Sequence, residues 1–183
     1  MPLRLLTIEA YLALGETEPG YTELSEGRLV LSPTPSIRHN RAVYQLATQL
    51  MEQLPHGLEA VPGVDVDLRL ALPDEPGFSR RPDLVVIDSA AVSSDEVIRA
   101  SEVLIAVEIV SPGSKRTDYV TKHDEYADAG IPFYWIVDLS DPVSLVACHQ
   151  AGELGYQDAP AVTGVFTTTQ PFAAKVDLTA LTA

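Results

Sequence analysis

Apolar residues along this chain change their period several times, and each change predicts an element. Ile8 to Leu14 has helical spacing and stops where Gly15, Pro19 and Gly20 break it. Tyr21 to Leu24 and Arg28 to Leu31 are strand-like stretches on either side of Ser25-Glu26-Gly27, a turn-sized link, and they predict a β-hairpin ended by Ser32-Pro33-Thr34-Pro35. From Ser36 the period lengthens. Val43, Leu46, Ala47, Leu50 and Leu54 recur at helical spacing opposite Arg41, Gln45, Gln49 and Glu52, which predicts an amphipathic helix capped by Ser36 and terminated by Pro55 and Gly57. Within Leu58 to Leu70, Val64-Asp65-Val66-Asp67-Leu68 alternates and predicts a half-exposed strand. The Pro- and Gly-rich stretch from Leu72 to Gly77 predicts a loop.

Two later runs are almost continuously apolar. Asp83 to Asp88 and Val103 to Val110 therefore predict central strands covered on both faces. A second helix is predicted from about Thr117 to Ala129, with Tyr119, Val120, His123, Tyr126 and Ala127 facing inward and Gly130 in the left-handed position after its end. Phe133–Asp138 is a further central strand, and Glu153-Leu154-Gly155 is a hairpin turn in a β-rich tail. Helix, strand, strand, strand, helix, strand is the resulting order. It predicts an α/β fold in one domain over residues 1–183, with its core at about 36–138.

The chemistry concentrates on two acids. Glu108 lies in the middle of an apolar strand, where an ionised carboxylate is costly unless a cation meets it. Asp83 stands at the mouth of the neighbouring run, and acids on adjacent strands make a candidate cation site. Alternation puts Leu104, Ala106, Glu108 and Val110 on one face. On the second helix Asp118, Lys122 and Tyr126 share a face at i, i+4 and i+8, so Lys122 can point back to the strand end with Asp118 holding it. Phosphodiester hydrolysis needs this combination, a cation on the scissile phosphate and a lysine against the developing charge. Structural roles compete with these readings. Asp83 can simply start a strand, Glu108 can pair with Arg80 or Arg81, and Lys122 can be a solvated helix residue. His39 shares a face with Val43, Leu46 and Leu50 and reads as a hydrogen-bonded inner residue, while Tyr126, Tyr134 and Trp135 read as core aromatics. His56, His123 and His149 show no metal-ligand spacing, and the single cysteine, Cys148, reads as inert and half-buried.

Composition changes the picture in one respect. With 46% hydrophobic and 21% charged residues the chain has the make-up of a globular protein. Without a span-length apolar run or a secretory signal pattern, a cytoplasmic protein with no membrane partner is expected. The net charge is −14, which opposes a phosphate backbone unless the cations are gathered. Arg38, Arg41, Arg80, Arg81, Lys115, Arg116 and Lys122 are the candidates for such a cluster, whereas residues 140–183 contribute only Lys175.

At Pro82-Asp83, Val107-Glu108-Ile109-Val110-Ser111-Pro112, Asp118, Lys122, Tyr126, Gly130-Ile131-Pro132 and Tyr134-Trp135-Ile136-Val137-Asp138 the chain resembles the Uma2 family of restriction endonucleases, within the PD-(D/E)XK nuclease superfamily. The likeness runs from Tyr21 through Asp138 and takes in Ser32-Pro33 to His39 and Leu178 to Leu181. It implies a restriction-endonuclease-like αβββαβ core with a mixed central sheet, the order that periodicity gives independently. It also implies Mg²⁺, or Mn²⁺ in its place, ligated by Asp83, Glu108 and the backbone carbonyl of Ile109. The superfamily lysine normally stands two residues after the glutamate. Here that position is Val110, so the resemblance assigns the role to Lys122, with Lys115 in the Ser111 to Arg116 loop as the fallback. Glu23, His39, Asp118 and Tyr126 are expected to support the site. The implied activity is endonucleolytic cleavage of nucleic acid, DNA foremost, by a homodimer. Two rivals stay open: a nuclease-fold binding module without cleavage, favoured by the charge, and a metal-dependent hydrolase of a small phosphorylated molecule.

Overall fold

The structure, a computed structural model, describes residues 5–15, 21–32, 34–92 and 97–183. Pro19 and Gly20, expected to stop the first helix, and Pro33, expected to end the hairpin, lie outside the described residues. That helix, α1 (Ile8–Leu12), is capped by the Thr7 hydroxyl, which accepts from Ala10 N at 3.2 Å. β1 (Tyr21–Ser25) and β2 (Arg28–Ser32) pair antiparallel in the predicted hairpin. Glu26 and Gly27 between them both take positive φ, 49° and 71°, the two-residue turn whose twist matches its strands. Ser36 caps α2 (Ile37–Met51) by accepting from His39 N at 3.2 Å, and the predicted stripe buries Leu46, Ala47 and Leu50.

The next strand departs from expectation. β3 (Leu58–Pro62) joins the central sheet, whereas the alternating Val64 to Leu68 stretch supplies only β4 (Val66–Asp67), paired with β5 (Ser79–Arg80). Both β4 residues are buried rather than half-exposed. The inward acid is tolerated because Asp67 finds partners two residues on, accepting from Arg69 N at 3.0 Å and pairing with its guanidinium at 2.7 Å.

β6 (Leu84–Asp88), α3 (Ser89–Val92), β7 (Ile98–Arg99), β8 (Val103–Val110), α4 (Lys122–Asp128) and β9 (Phe133–Asp138) follow. The tail contains β10 (Ser144–Gln150), β11 (Tyr156–Asp158), β12 (Val162–Thr163), β13 (Val165–Thr168) and β14 (Ala174–Asp177), with Glu153-Leu154-Gly155 in the β10–β11 turn. Among the described residues the central sheet runs β11-β10-β9-β8-β6-β3, with β12 also beside β10. β8 and β9 are parallel and joined by the α4 crossover, and the other neighbours are antiparallel, so the sheet is mixed as predicted. A second sheet has the order β2-β1-β5-β4-β7, and β13 pairs with β14.

Both faces of β6 and β8 are covered. On one, Leu84, Val86, Ile105, Val107 and Ile109 pack with Leu46 and Leu50 of α2 and with Phe166 and Val176 of the tail. On the other, Val85, Ile87, Ala106 and Ile136 pack with Tyr126 of α4. The β6–β8 register slips at Val86/Ile87, and the slip turns Leu104 into the α2 layer instead of onto the face of Glu108.

The second helix begins with a π turn over Thr117–Thr121 before α4. This widened turn makes Asp118, Lys122 and Tyr126 the buried face and leaves Val120, expected inward, 51% exposed. Gly130, at φ 77°, ends α4: its N–H donates to Ala127 O and Ile131 N donates to Tyr126 O. Cys148 is fully buried rather than half-buried, and it is not isolated. Sheet pairing and the α4 crossover bring His123 and Asp158 to it, with the three donor atoms within 4.8 Å of one another.

Candidate active site

The site forms where the N-terminus of α2, the ends of β6 and β8, the hairpin strand β1 and the start of α4 converge. Asp83, just before β6, accepts at Oδ2 from Ile109 N at 2.7 Å, so it anchors the neighbouring strand while its side chain stays at the cleft. The hydrogen bond is the strand-starting role, and the side chain also lines the cleft. His39, in the first turn of α2, places Nε2 at 3.2 Å from the same Asp83 oxygen and at 3.1 Å from Ile109 O. A proton on Nε2 serves both acceptors. Burial works against the charged ring, but the hydrogen bond and charge of Asp83 outweigh it and hold the His39 pKa above its usual value.

Glu108 projects from β8 toward α4. Its Oε1 accepts from Lys122 Nζ at 2.9 Å and from Tyr126 OH at 2.7 Å, and both of these bonds fall on the same oxygen. Burial pushes the Glu108 carboxyl up to about 8 against the pull of Lys122, and the charges of Asp83 and Asp118 add to the rise. Burial opposes the Lys122 ammonium as well, yet Glu108 and Glu23 reverse that effect and raise its pKa, so it stays charged. Glu23, from β1, lies 3.2 Å from Lys122 Nζ and accepts from Arg80 at 3.1 Å and from Arg81 N at 3.0 Å. Burial raises Glu23, but Lys122 and Arg80 hold it below the usual carboxylate range.

Several expected roles are redistributed. Lys122 is held by Glu108 and Glu23 rather than by Asp118, whose Oδ2 accepts instead from Ser114 Oγ at 2.5 Å. Arg80, expected in an exposed basic cluster, is buried and bridges Glu23 to Glu125 of α4, with the latter bond at 2.5 Å. Lys115, the fallback lysine, is largely exposed and pairs with Asp138 at 3.1 Å. Val110 packs against the apolar layer beneath α4. Glu125 and Ser114 carry no signal in the sequence, and Arg80, read there as a cluster cation or a partner of Glu108, pairs instead with Glu23 and Glu125. Glu125 and Arg80 meet across 45 positions, which no local pattern announces.

A cleft of about 710 Å³ is lined by Glu23, His39, Asp83, Glu108, Asp118 and Lys122. Arg38 and Arg81 line its rim. Arg38 donates to Leu139 O at 2.7 Å, and Arg81 lies 4.2 Å over the ring of Tyr21, also at the cleft. Of the predicted basic cluster, Arg41 and Arg116 are not among the lining residues. Carboxylates therefore outnumber the cations at the floor. Two carboxylates and the Ile109 carbonyl are hard oxygen donors, a set that fits Mg²⁺ or Mn²⁺ and not a thiophilic metal.

Among curated proteins, none matches this chain. Among solved structures, it is similar to a crystal structure described as "a putative nuclease belonging to DUF820" from Anabaena variabilis ATCC 29413, with 18% identity and a TM-score of 0.72 over 96% of this chain and 97% of that one. At that identity the likeness establishes the fold, in agreement with the mixed α/β arrangement described above. The family Uma2, "Putative restriction endonuclease", matches residues 8–180, which include each site residue named here, and the chain therefore belongs to the Uma2 family.

Proposed function

We propose that this chain is a divalent-cation-dependent endonuclease that hydrolyses phosphodiester bonds of DNA, with Mg²⁺ as its ion and Mn²⁺ as a substitute. The observation that carries this reading is the buried Glu108, which lines one cleft with Asp83 and receives Lys122 at 2.9 Å. Asp83, Glu108 and the Ile109 carbonyl would hold the ion, which when bound supplies positive charge to a phosphate and acidifies a coordinated water. The chain's own groups do the rest. Lys122, fixed between two carboxylates, offers an ammonium to the negative charge that grows on the phosphate. Tyr126 orients Glu108 through its hydroxyl, and His39 holds Asp83 and the Ile109 carbonyl in mutual register. Arg38 and Arg81 at the rim contact the flanking phosphates. Cutting both strands takes two such sites, so the working unit is a homodimer.

Nicking of supercoiled DNA in Mg²⁺, Mn²⁺ or EDTA tests this, with Asp83→Ala, Glu108→Ala and Lys122→Ala beside the parent. Cleavage is expected to require the metal and to fall by roughly a hundredfold or more in each variant. Cleavage that survives Glu108→Ala overturns the assignment. Binding of DNA with no cleavage in any condition supports the non-cleaving module. Hydrolysis confined to a small phosphodiester such as bis(p-nitrophenyl) phosphate points to the small-substrate hydrolase.

A further inference from the structure

Between α4 and the β10–β11 edge, outside the cleft lining, lies a second group of potential metal-ligand side chains. Cys148 in β10 and Asp158 in β11 are direct cross-strand partners, so their side chains leave the sheet on the same face. His123 descends onto them from α4, with Nε2 2.9 Å from Asp158 Oδ1. Imidazole nitrogen, thiol sulfur and carboxylate oxygen all lie within 4.8 Å of one another. The other ring nitrogen, Nδ1, lies 3.3 Å from the carboxylate of Asp124, the arrangement that fixes a metal-binding imidazole with its far nitrogen toward the ion. Tyr156 and Tyr134 meet the ring edge-on at centroid distances of 5.3 and 6.3 Å and set its plane. A simple His–Asp ion pair needs neither the thiol nor the Asp124 contact, yet both are present here, and the thiol belongs to the one cysteine of the chain.

We propose that His123, Cys148 and Asp158 bind a borderline-soft divalent metal of the zinc class, which ties α4 to the β10–β11 edge. Nitrogen, sulfur and oxygen donors in one set select such an ion over Mg²⁺. Tetrahedral coordination brings donors to about 3.3–3.7 Å of one another. Asp158, with about half of its side chain exposed, has room to shift from its 2.9 Å contact with His123 into that spacing, and water takes the fourth position on that open side. On binding, the Cys148 thiol and the His123 Nε2–H that faces Asp158 each give a proton to solvent, His123 coordinates through the freed Nε2, and the two anionic ligands balance the ion's double charge. His123 directly follows Lys122. A metal here would thus fix the helix that carries the cleft lysine.

The test is Zn²⁺ and Co²⁺ binding to the full chain carrying Asp83→Ala and Glu108→Ala, which removes the two carboxylates assigned to the cleft cation as competing ligands. One equivalent of zinc is expected, with a thiolate-to-cobalt charge-transfer band and a zinc-dependent rise in melting temperature. Cys148→Ser should abolish the band, the exposed Asp158→Asn should weaken binding without harming the fold, and Asp124→Asn should weaken it roughly tenfold. Unchanged zinc stoichiometry and affinity in both Cys148→Ser and Asp158→Asn, or cobalt binding without the band, would overturn the proposal. No readout involves cleavage, so the result stands apart from the nuclease reading.

Discussion

Lys122 joins carboxylates from two sheets, and removing it strands Glu108. Glu108 and Glu23 are almost fully buried, and Arg80 reaches only the latter. Lys122→Met is expected to cost about 3 kcal/mol in urea denaturation, because a buried carboxylate loses its cation. Lys115→Met, which removes a largely exposed lysine from its pair with Asp138, should stay within about 0.5 kcal/mol. Asp65 makes the opposite case. Its Oδ1 is buried without a hydrogen-bond partner among the described residues, and burial raises its pKa although Arg81 opposes the rise. A raised carboxyl favours the folded state while protonated, so this group's contribution to stability declines as pH climbs from the ordinary aspartate value through the folded one. Asp65→Asn should therefore melt higher than the parent near pH 8, with the two converging near about pH 3. In the sequence Glu108 was legible as an acid in an apolar run, while Lys122, a solvated helix lysine by default, was raised above that reading only by the family resemblance. Glu23 as partner of Lys122 was not, since electrostatic pairing across 99 positions leaves no periodic trace.

Among elements, those with a strict period were the ones read correctly. β8, β9 and α2 lie where apolar spacing placed them, because each buries a continuous stripe against a neighbour, while the β1–β2 hairpin was marked by its turn, since β2 is almost wholly exposed. The misread elements are those where polar groups occupy inward positions. Asp67 turns inward on β4 because Arg69 satisfies it, and Asp118 and Lys122 displace Val120 from the buried face of the second helix. Alternation and helical spacing register hydrophobicity, so an element whose inner face is charged carries a false phase. The cap of α2 links element to site, since the bond that closes the helix is donated by the backbone of His39, whose ring meets Asp83. Ser36→Ala should lower stability by about 1 kcal/mol in thermal denaturation, with the loss confined to this cap.

For the molecule as a whole, the charge of −14 and the few cations at the cleft rim set how it would meet a polyanion. On the nuclease reading, DNA binding by the Glu108→Ala variant should show a shallow salt dependence, with a slope of log K against log salt of about −2 to −3. Arg38→Ala and Arg81→Ala should each flatten it by about one unit, measured by fluorescence anisotropy across salt concentrations. A steep slope would require a basic surface beyond that rim. The αβββαβ order was visible from periodicity, and family motifs located the acids on it, but the clustering of Cys148 with His123 and Asp158 emerges only once sheet order is known. The spread of the site along the chain also bears on synthesis. Glu23 leaves the ribosome long before Asp83 and Glu108, Lys122 comes later still, and β8 has no partner on its far side until Phe133–Asp138 has emerged. A nascent chain halted before that strand carries the acids without the assembled centre, so any activity of this protein begins only when translation of its core is complete.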